Sequence, residues 1–324
     1  MMKFLALVLG FSLPASAVAE TPLTAEPFGL TPPEGTYIEE VPGVAVSPNG
    51  AQVYVFNRGQ RALLVFGKNG GFLREIGAGL FDVPHGLRVD EAGNIWTTDT
   101  GTHLVLKFSP QGKLMMVLGK KGTASEGWFK RDYNHYFLNK PSDVAFDSAG
   151  NIYVADGGNF RVVKFSPQGV VINTFGEKGT EPGQFNFPHS LVIDETGRLL
   201  VADRENKRIQ LFDESGGFLA AWTNIGYPYM LALAPGGGVW MTDARADMLV
   251  RLGTSGQLLQ SFGSTGKGTG QYGFLHGVAI FDDALLVSDI LNWKVERLSL
   301  TGKATVSENV ARTGKTSAAK SLAH

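Results

Sequence analysis

Cysteine is absent from the 324 residues. This excludes a disulfide framework, a thiol nucleophile and any thiolate-bound metal. Charge is sparse and balanced: 18% of residues are charged, with 29 basic against 30 acidic and a net charge of −1. There is no basic field for nucleic acid. Past the N-terminus no apolar run is long enough to cross a bilayer. Stretches of about 10–15 residues with a helical apolar period are missing too. The chain holds 43% hydrophobic residues, enough for a sizeable core and against disorder. Glycine is in excess, 42 residues against 15 prolines. Together with the aromatic content, this points to many tight turns between short strands.

The first residues read MMKFLALVLGFSLPASAVAE. Lys3 precedes an apolar run, Phe4 to Leu13, and Ala17-Val18-Ala19 places small residues where a leader peptidase cuts. Residues 1–19 are expected to be a secretory signal. The mature protein is then expected to be secreted or periplasmic, free of the membrane and monomeric.

Self-similarity dominates the rest. VPHGLRVDEAGNIWTTDTGTHLVLKF, KPSDVAFDSAGNIYVADGGNFRVVKF and FPHSLVIDETGRLLVADRENKRIQLF align by eye, and three weaker copies begin near Pro42, Pro228 and Leu275. An Asp closes the second apolar run at Asp99, Asp156, Asp203, Asp243 and Asp289, with Asn57 in the first copy. Each copy carries four short apolar runs separated by Asp-x-x-Gly or Ser-Pro-x-Gly turns, the pattern of antiparallel strands. Four strands repeated every ~45 residues make a propeller blade. The expected fold class is all-β, a six-bladed β-propeller over residues 37–312. A linker at 20–36 precedes it and a polar tail at 313–324 follows. The last outer strand is expected either from the tail, near Ala304–Val310, or from an N-terminal strand near Tyr37–Glu40. An Asp present in nearly every blade serves the fold rather than chemistry at one centre.

Residues that differ between blades carry the functional information. The slot just before the first strand of each blade holds Pro42, His85, Ser142, His189, Tyr229 and His276. Three of the six histidines in the chain fall there, in blades two, four and six. First strands line the axis, so alternate blades aim three imidazoles at it about 120° apart. That is a His₃ metal site with an open position, and zinc is the expected metal. The alternative is three unrelated histidines satisfied by water. The residue after the recurring Asp returns to the same rim and includes Arg58 and Arg204, placed to grip a substrate carboxylate. The plain alternative for Arg204 is pairing with a neighbouring acid such as Glu205. The long connection Gly119–Lys140, with Trp128, Tyr133, His135 and Tyr136, belongs either to that rim or to simple packing on the disc.

The phrases VPHGLRVDEAGNIWTTD, NKPSDVAFDSAGNIYVADG and PGQFNFPHSLVIDETGRLLVADRENKRIQLF resemble the NHL-type propeller, and within it the peptidyl-α-hydroxyglycine α-amidating lyases, over about residues 38–300. The resemblance implies zinc on His85, His189 and His276, active-site arginines at Arg58 and Arg204, and a structural calcium on the backbone carbonyls of Val44 and Leu87. It also exposes departures. Gly158 stands where the family has its catalytic tyrosine, Gly277 where it has an acidic calcium ligand, and Phe274 where it has a methionine. Tyr229, in the histidine slot of blade five, is the candidate replacement base. The expected activity is a zinc-dependent carbon–nitrogen lyase. It would cleave a C-terminal α-hydroxyglycine to a peptide amide and glyoxylate, with a small carboxylate or peptide as substrate. The rival is a non-catalytic propeller that binds a peptide, glycan or protein on its rim.

Overall fold

The computed structural model describes residues 22–124 and 137–300. Six four-stranded antiparallel sheets account for nearly all of the regular structure among them. The innermost strands are Gly43–Val46, Pro84–Val89, Pro141–Phe146, Pro188–Ile193, Leu231–Leu233 and Leu275–Phe281. Each touches the innermost strand of the next blade, and the last returns to the first, so the ring is closed. In blade three the strands Pro141–Phe146, Ile152–Asp156, Arg161–Phe165 and Val171–Phe175 fall within two residues of the apolar runs of the repeat.

Second and third strands are covered on both faces, which is why they read as unbroken apolar runs such as Leu199–Asp203. Six apolar clusters result, one at each blade–blade interface. Leu64, fully buried between blades six and one, sits where truncation to alanine costs about 2–5 kcal/mol. Outer strands have one free face: in Phe218–Trp222 only the last residue is buried.

The ring closes differently from the sequence expectation. The fourth strand of blade six is Thr24–Pro27, paired with Lys294–Ser299 from Thr24↔Ser299 to Pro27↔Glu296. Part of the segment read as a linker is therefore an edge strand of the propeller, and the Tyr37–Glu40 stretch is not a strand. Charge contacts support the edge: Arg297 bonds Glu26 Oε1 at 3.1 Å. The leader at 1–19, the tail including Ala304–Val310, and Trp128, Tyr133, His135 and Tyr136 lie outside the described residues. Among the described residues no helix is long and apolar enough to cross a membrane.

The recurring Asp is a staple. Asp99 accepts the backbone N–H groups of Asp82, Val83, Gly101 and Thr102 at 2.7–3.2 Å. It thereby ties the end of the second strand to the loop entering the first. Asp156, Asp203, Asp243 and Asp289 repeat this through Asn139, Asn186, Tyr227 and Gly273. That loop carries the residue slot at the hub, so the staple fixes where the hub side chains begin.

Candidate metal centre

The staples deliver His85, His189 and His276 to the hub, where they are 8%, 0% and 2% exposed. Their ligand atoms lie within 4.8 Å of one another, and the ring centroids are 4.8, 5.0 and 5.1 Å apart. Each Nδ1 bonds one backbone carbonyl: His85 to Ser142 at 2.9 Å, His189 to Tyr229 at 2.9 Å and His276 to Pro42 at 2.7 Å. Those three carbonyl residues occupy the histidine slot in the odd-numbered blades. A carbonyl can only accept, so each Nδ1 carries the proton and each Nε2 is left as a bare lone pair.

Secondary bonds hold the anchors in place. The Ser142 carbonyl also accepts Thr98 Oγ1–H at 3.0 Å, while Ser142 Oγ donates to the Pro188 carbonyl at 2.9 Å. Ligating histidines are oriented in this way by the partner of the other ring nitrogen.

Three neutral acceptors facing inward make a costly burial. His189 Nε2 is buried with no hydrogen-bond partner among the described residues. Burial pushes the His85 pKa down to about 4, helped by the Arg58 and Arg204 guanidiniums and opposed by the Ser142 carbonyl and Asp143. His189 and His276 are pushed well below the ordinary histidine value, first by burial and then by the neighbouring imidazole of His85. The rings are neutral at neutral pH, the form a metal takes. The three histidines fit a metal ion in number, protonation and convergence.

Arg58 and Arg204 lie on the same face, close enough to lower the pKa of His85 and His276. Arg58 donates Nε–H to the Pro84 carbonyl at 3.2 Å and pairs Nη1 with Glu40 at 2.8 Å. Arg204 pairs with Glu205 at 2.7 Å, as the plain reading had it. Its guanidinium also lies over the rings of Phe187 at 4.5 Å and Tyr229 at 5.1 Å. Phe187 has a φ of 67°, and Lys140, at the same position of blade three, repeats it at 51°, so this left-handed conformation belongs to the entry of the blade. Tyr229 is 3% exposed, with its ring 5.0 Å from His189, 5.8 Å from His276 and 5.3 Å from Phe274. Phe274 stacks parallel on His276. An aromatic wall of Phe187, Tyr229 and Phe274 thus borders the histidines.

The departures have local causes. Gly158 lies in the turn Gly157–Asn159 and donates its N–H to the Asn139 carbonyl at 2.8 Å. A Cβ there would stand 2.6 Å from Asn139 Cγ, so no side chain is presented from this position. At Gly277 a Cβ would stand 2.3 Å from Ser288 Oγ. Val44 and Leu87 are buried in inner strands, but the inner strands offer no free carboxylate to join their carbonyls. A hard dication is ordinarily bound by carboxylates together with carbonyls and water. Asp143 is the only acid in the six inner strands, and both of its oxygens are bonded to Arg88.

Comparisons with known proteins agree with this fold. The NHL repeat family model matches residues 81–108, 138–165 and 185–212, which are blades two, three and four. The chain is a six-bladed β-propeller with NHL repeats in those blades. Human NHL repeat-containing protein 3 is 38% identical over 197 residues, covering 56% of this chain and 54% of that protein. Peptidyl-α-hydroxyglycine α-amidating lyase 2 of Drosophila melanogaster is 30% identical over 209 residues, covering 55% of this chain and 48% of that protein. The chain spans about half the length of these relatives. A solved streptogramin B lyase structure superposes with a TM-score of 0.60 at 16% identity, covering 88% of this chain and 99% of the other, a likeness of fold. Over about half its length the chain is similar in sequence to an amidating lyase.

Proposed function

We propose that this protein is an exported, zinc-dependent lyase that cleaves a C-terminal α-hydroxyglycine to a peptide amide and glyoxylate. One observation carries the reading. Three carbonyl-anchored imidazoles turn bare Nε2 atoms to a common point, with two guanidiniums on the same face. The similarity to an amidating lyase supports the reaction, and residues 1–19 support export.

His85, His189 and His276 would hold the zinc, which supplies Lewis-acid polarisation of the substrate α-hydroxyl. Arg58 and Arg204 hold the substrate carboxylate; the acids on Arg58 Nη1 and Arg204 Nε leave other N–H groups of each fork for it. The aromatic wall keeps water from the scissile bond. Tyr229, ionised to the tyrosinate, would take the α-hydroxyl proton and pass it on. As the C–O bond becomes a carbonyl, the C–N bonding pair leaves on the amide nitrogen, which receives that proton. No electrons are gained or lost, and the products are the amide and glyoxylate.

Incubation of the zinc-loaded protein with an α-hydroxyglycine peptide should release glyoxylate and the peptide amide in equal amounts. Tyr229→Phe should lower kcat by about 10²-fold or more with metal content unchanged, because the Tyr229 carbonyl that anchors His189 is retained. Gly158, with no side chain in the tyrosine position, favours a second reading as a rim-binding propeller. Bound metal without glyoxylate release would support that reading and contradict the lyase.

A further inference from the structure

One to three residues further along the inner strands, a second polar layer lies next to the histidines, and the proposed reaction does not use it. Arg88 Nε and Nη2 donate to Asp143 Oδ1 and Oδ2 at 2.8 and 2.5 Å. Nη2 also donates to Ser190 Oγ at 3.1 Å and to the Leu231 carbonyl at 2.9 Å. Asp143 in turn accepts Ser190 Oγ–H at 2.6 Å and the Leu191 N–H at 3.2 Å. One guanidinium therefore ties blades two, three, four and five, and Leu231 lies on the blade opposite its own. The Asp143 side chain is 0% exposed and that of Arg88 17%. Asp143 is close enough to influence His85, so the layer sits against the metal centre.

This is the layer where the resemblance implies a calcium ion, on the carbonyls of Val44 and Leu87. The expected acidic ligand is Gly277, with no room for a side chain, and the one acid present is neutralised by Arg88. A dication on the Leu87 carbonyl would be held by the residue next to Arg88, and the acid that could neutralise it is already bonded through both oxygens to that guanidinium. We propose that Arg88 replaces the calcium: a cation carried on the chain itself joins the blades at the hub. The protein is then a one-metal propeller, indifferent to calcium. The inference does not depend on the reaction, because its readouts are calcium content and melting.

The full-length protein, purified in the presence of calcium and then dialysed, is analysed for bound calcium. It is then melted in millimolar calcium and in EGTA. The expected result is no calcium above background and the same Tm in both solutions. Arg88→Ala, which strands the buried Asp143, should melt about 10 °C lower, and Arg88→Lys should recover part of that loss by restoring the charge. Calcium near one ion per chain, or a Tm that falls in EGTA, overturns the proposal. So does an Arg88→Ala protein that melts like the parent. Should Arg88→Ala fail to fold, the calcium content and EGTA melt of the parent chain still decide.

Discussion

The Asp ending five of the six second strands and the histidines opening three first strands are buried to a similar degree, yet their hydrogen bonding is opposite. Asp203 accepts from Asn186 N–H, Asn206 Nδ2–H, Arg208 Nε–H and Gln210 Nε2–H, at 2.7 to 3.1 Å. His189 is anchored through Nδ1 alone, and its Nε2 faces the hub without a partner. The saturated group recurs around the ring because each blade must be closed. The half-saturated group appears in alternate blades, as the proposed ion would require: three ligands at the axis, with the blades between supplying their anchors. In this fold, repetition with full bonding marks structure, while broken repetition with unspent lone pairs marks the site.

Four experiments can break or sharpen that contrast. The largest effect is expected at the half-saturated group. His189→Ala should abolish metal binding, and with it glyoxylate release by about 10³-fold or more, while the protein stays folded; retained metal would show that the ring is not the site. Asp203→Ala should do the reverse. Losing the staple strands the Asn186 N–H and leaves the Arg208 guanidinium on backbone carbonyls without its counter-charge, at a cost of about 3–5 kcal/mol in denaturant unfolding, with the metal still bound by whatever protein remains folded.

Next comes pH. His85 titrates at about 4 in the fold against an ordinary 6.5. The unfolded chain therefore takes up its proton first as pH falls. The metal-free protein should keep its full stability above pH 6.5 and lose about 3 kcal/mol between 6.5 and 4 from this residue. His85→Gln should flatten that part of the urea stability profile, and an equally steep profile in the variant would contradict the assignment. The smallest effect is expected at the rim. Arg204→Lys loses the planar fork and the stacking on Phe187 and Tyr229, so KM should rise about 10–100-fold with kcat and metal content little changed. An unaltered KM would remove Arg204 from substrate binding.

Much of the hub was legible in the sequence, because a repeat supplies its own control. His85, His189 and His276 stand out against Pro42, Ser142 and Tyr229 in the same slot, and the structure brings all three together. The anchoring role of Pro42, Ser142 and Tyr229 was not read, since backbone carbonyls leave no residue-type signature. Even so, their alternation with the histidines was visible. The Arg88–Asp143 pair left a readable sign, an acid and a base inside inner strands that are, the histidines aside, apolar or small, but two positions in different blades are not joined by any spacing rule. Thr24–Pro27 could not be found from pattern: a four-residue edge strand with mostly exposed side chains has no apolar alternation. Glu40, the partner of Arg58, was missed for the same reason, because it lies between elements.

The central claim is that one metal ion is held by His85, His189 and His276. Diffraction from crystals of the purified protein, with anomalous data collected on both sides of the zinc edge, tests it directly. The account predicts a single zinc peak bonded to the three Nε2 atoms at about 2.0–2.1 Å. A hub with no anomalous peak after incubation with zinc, or a zinc bound away from these rings, would contradict it.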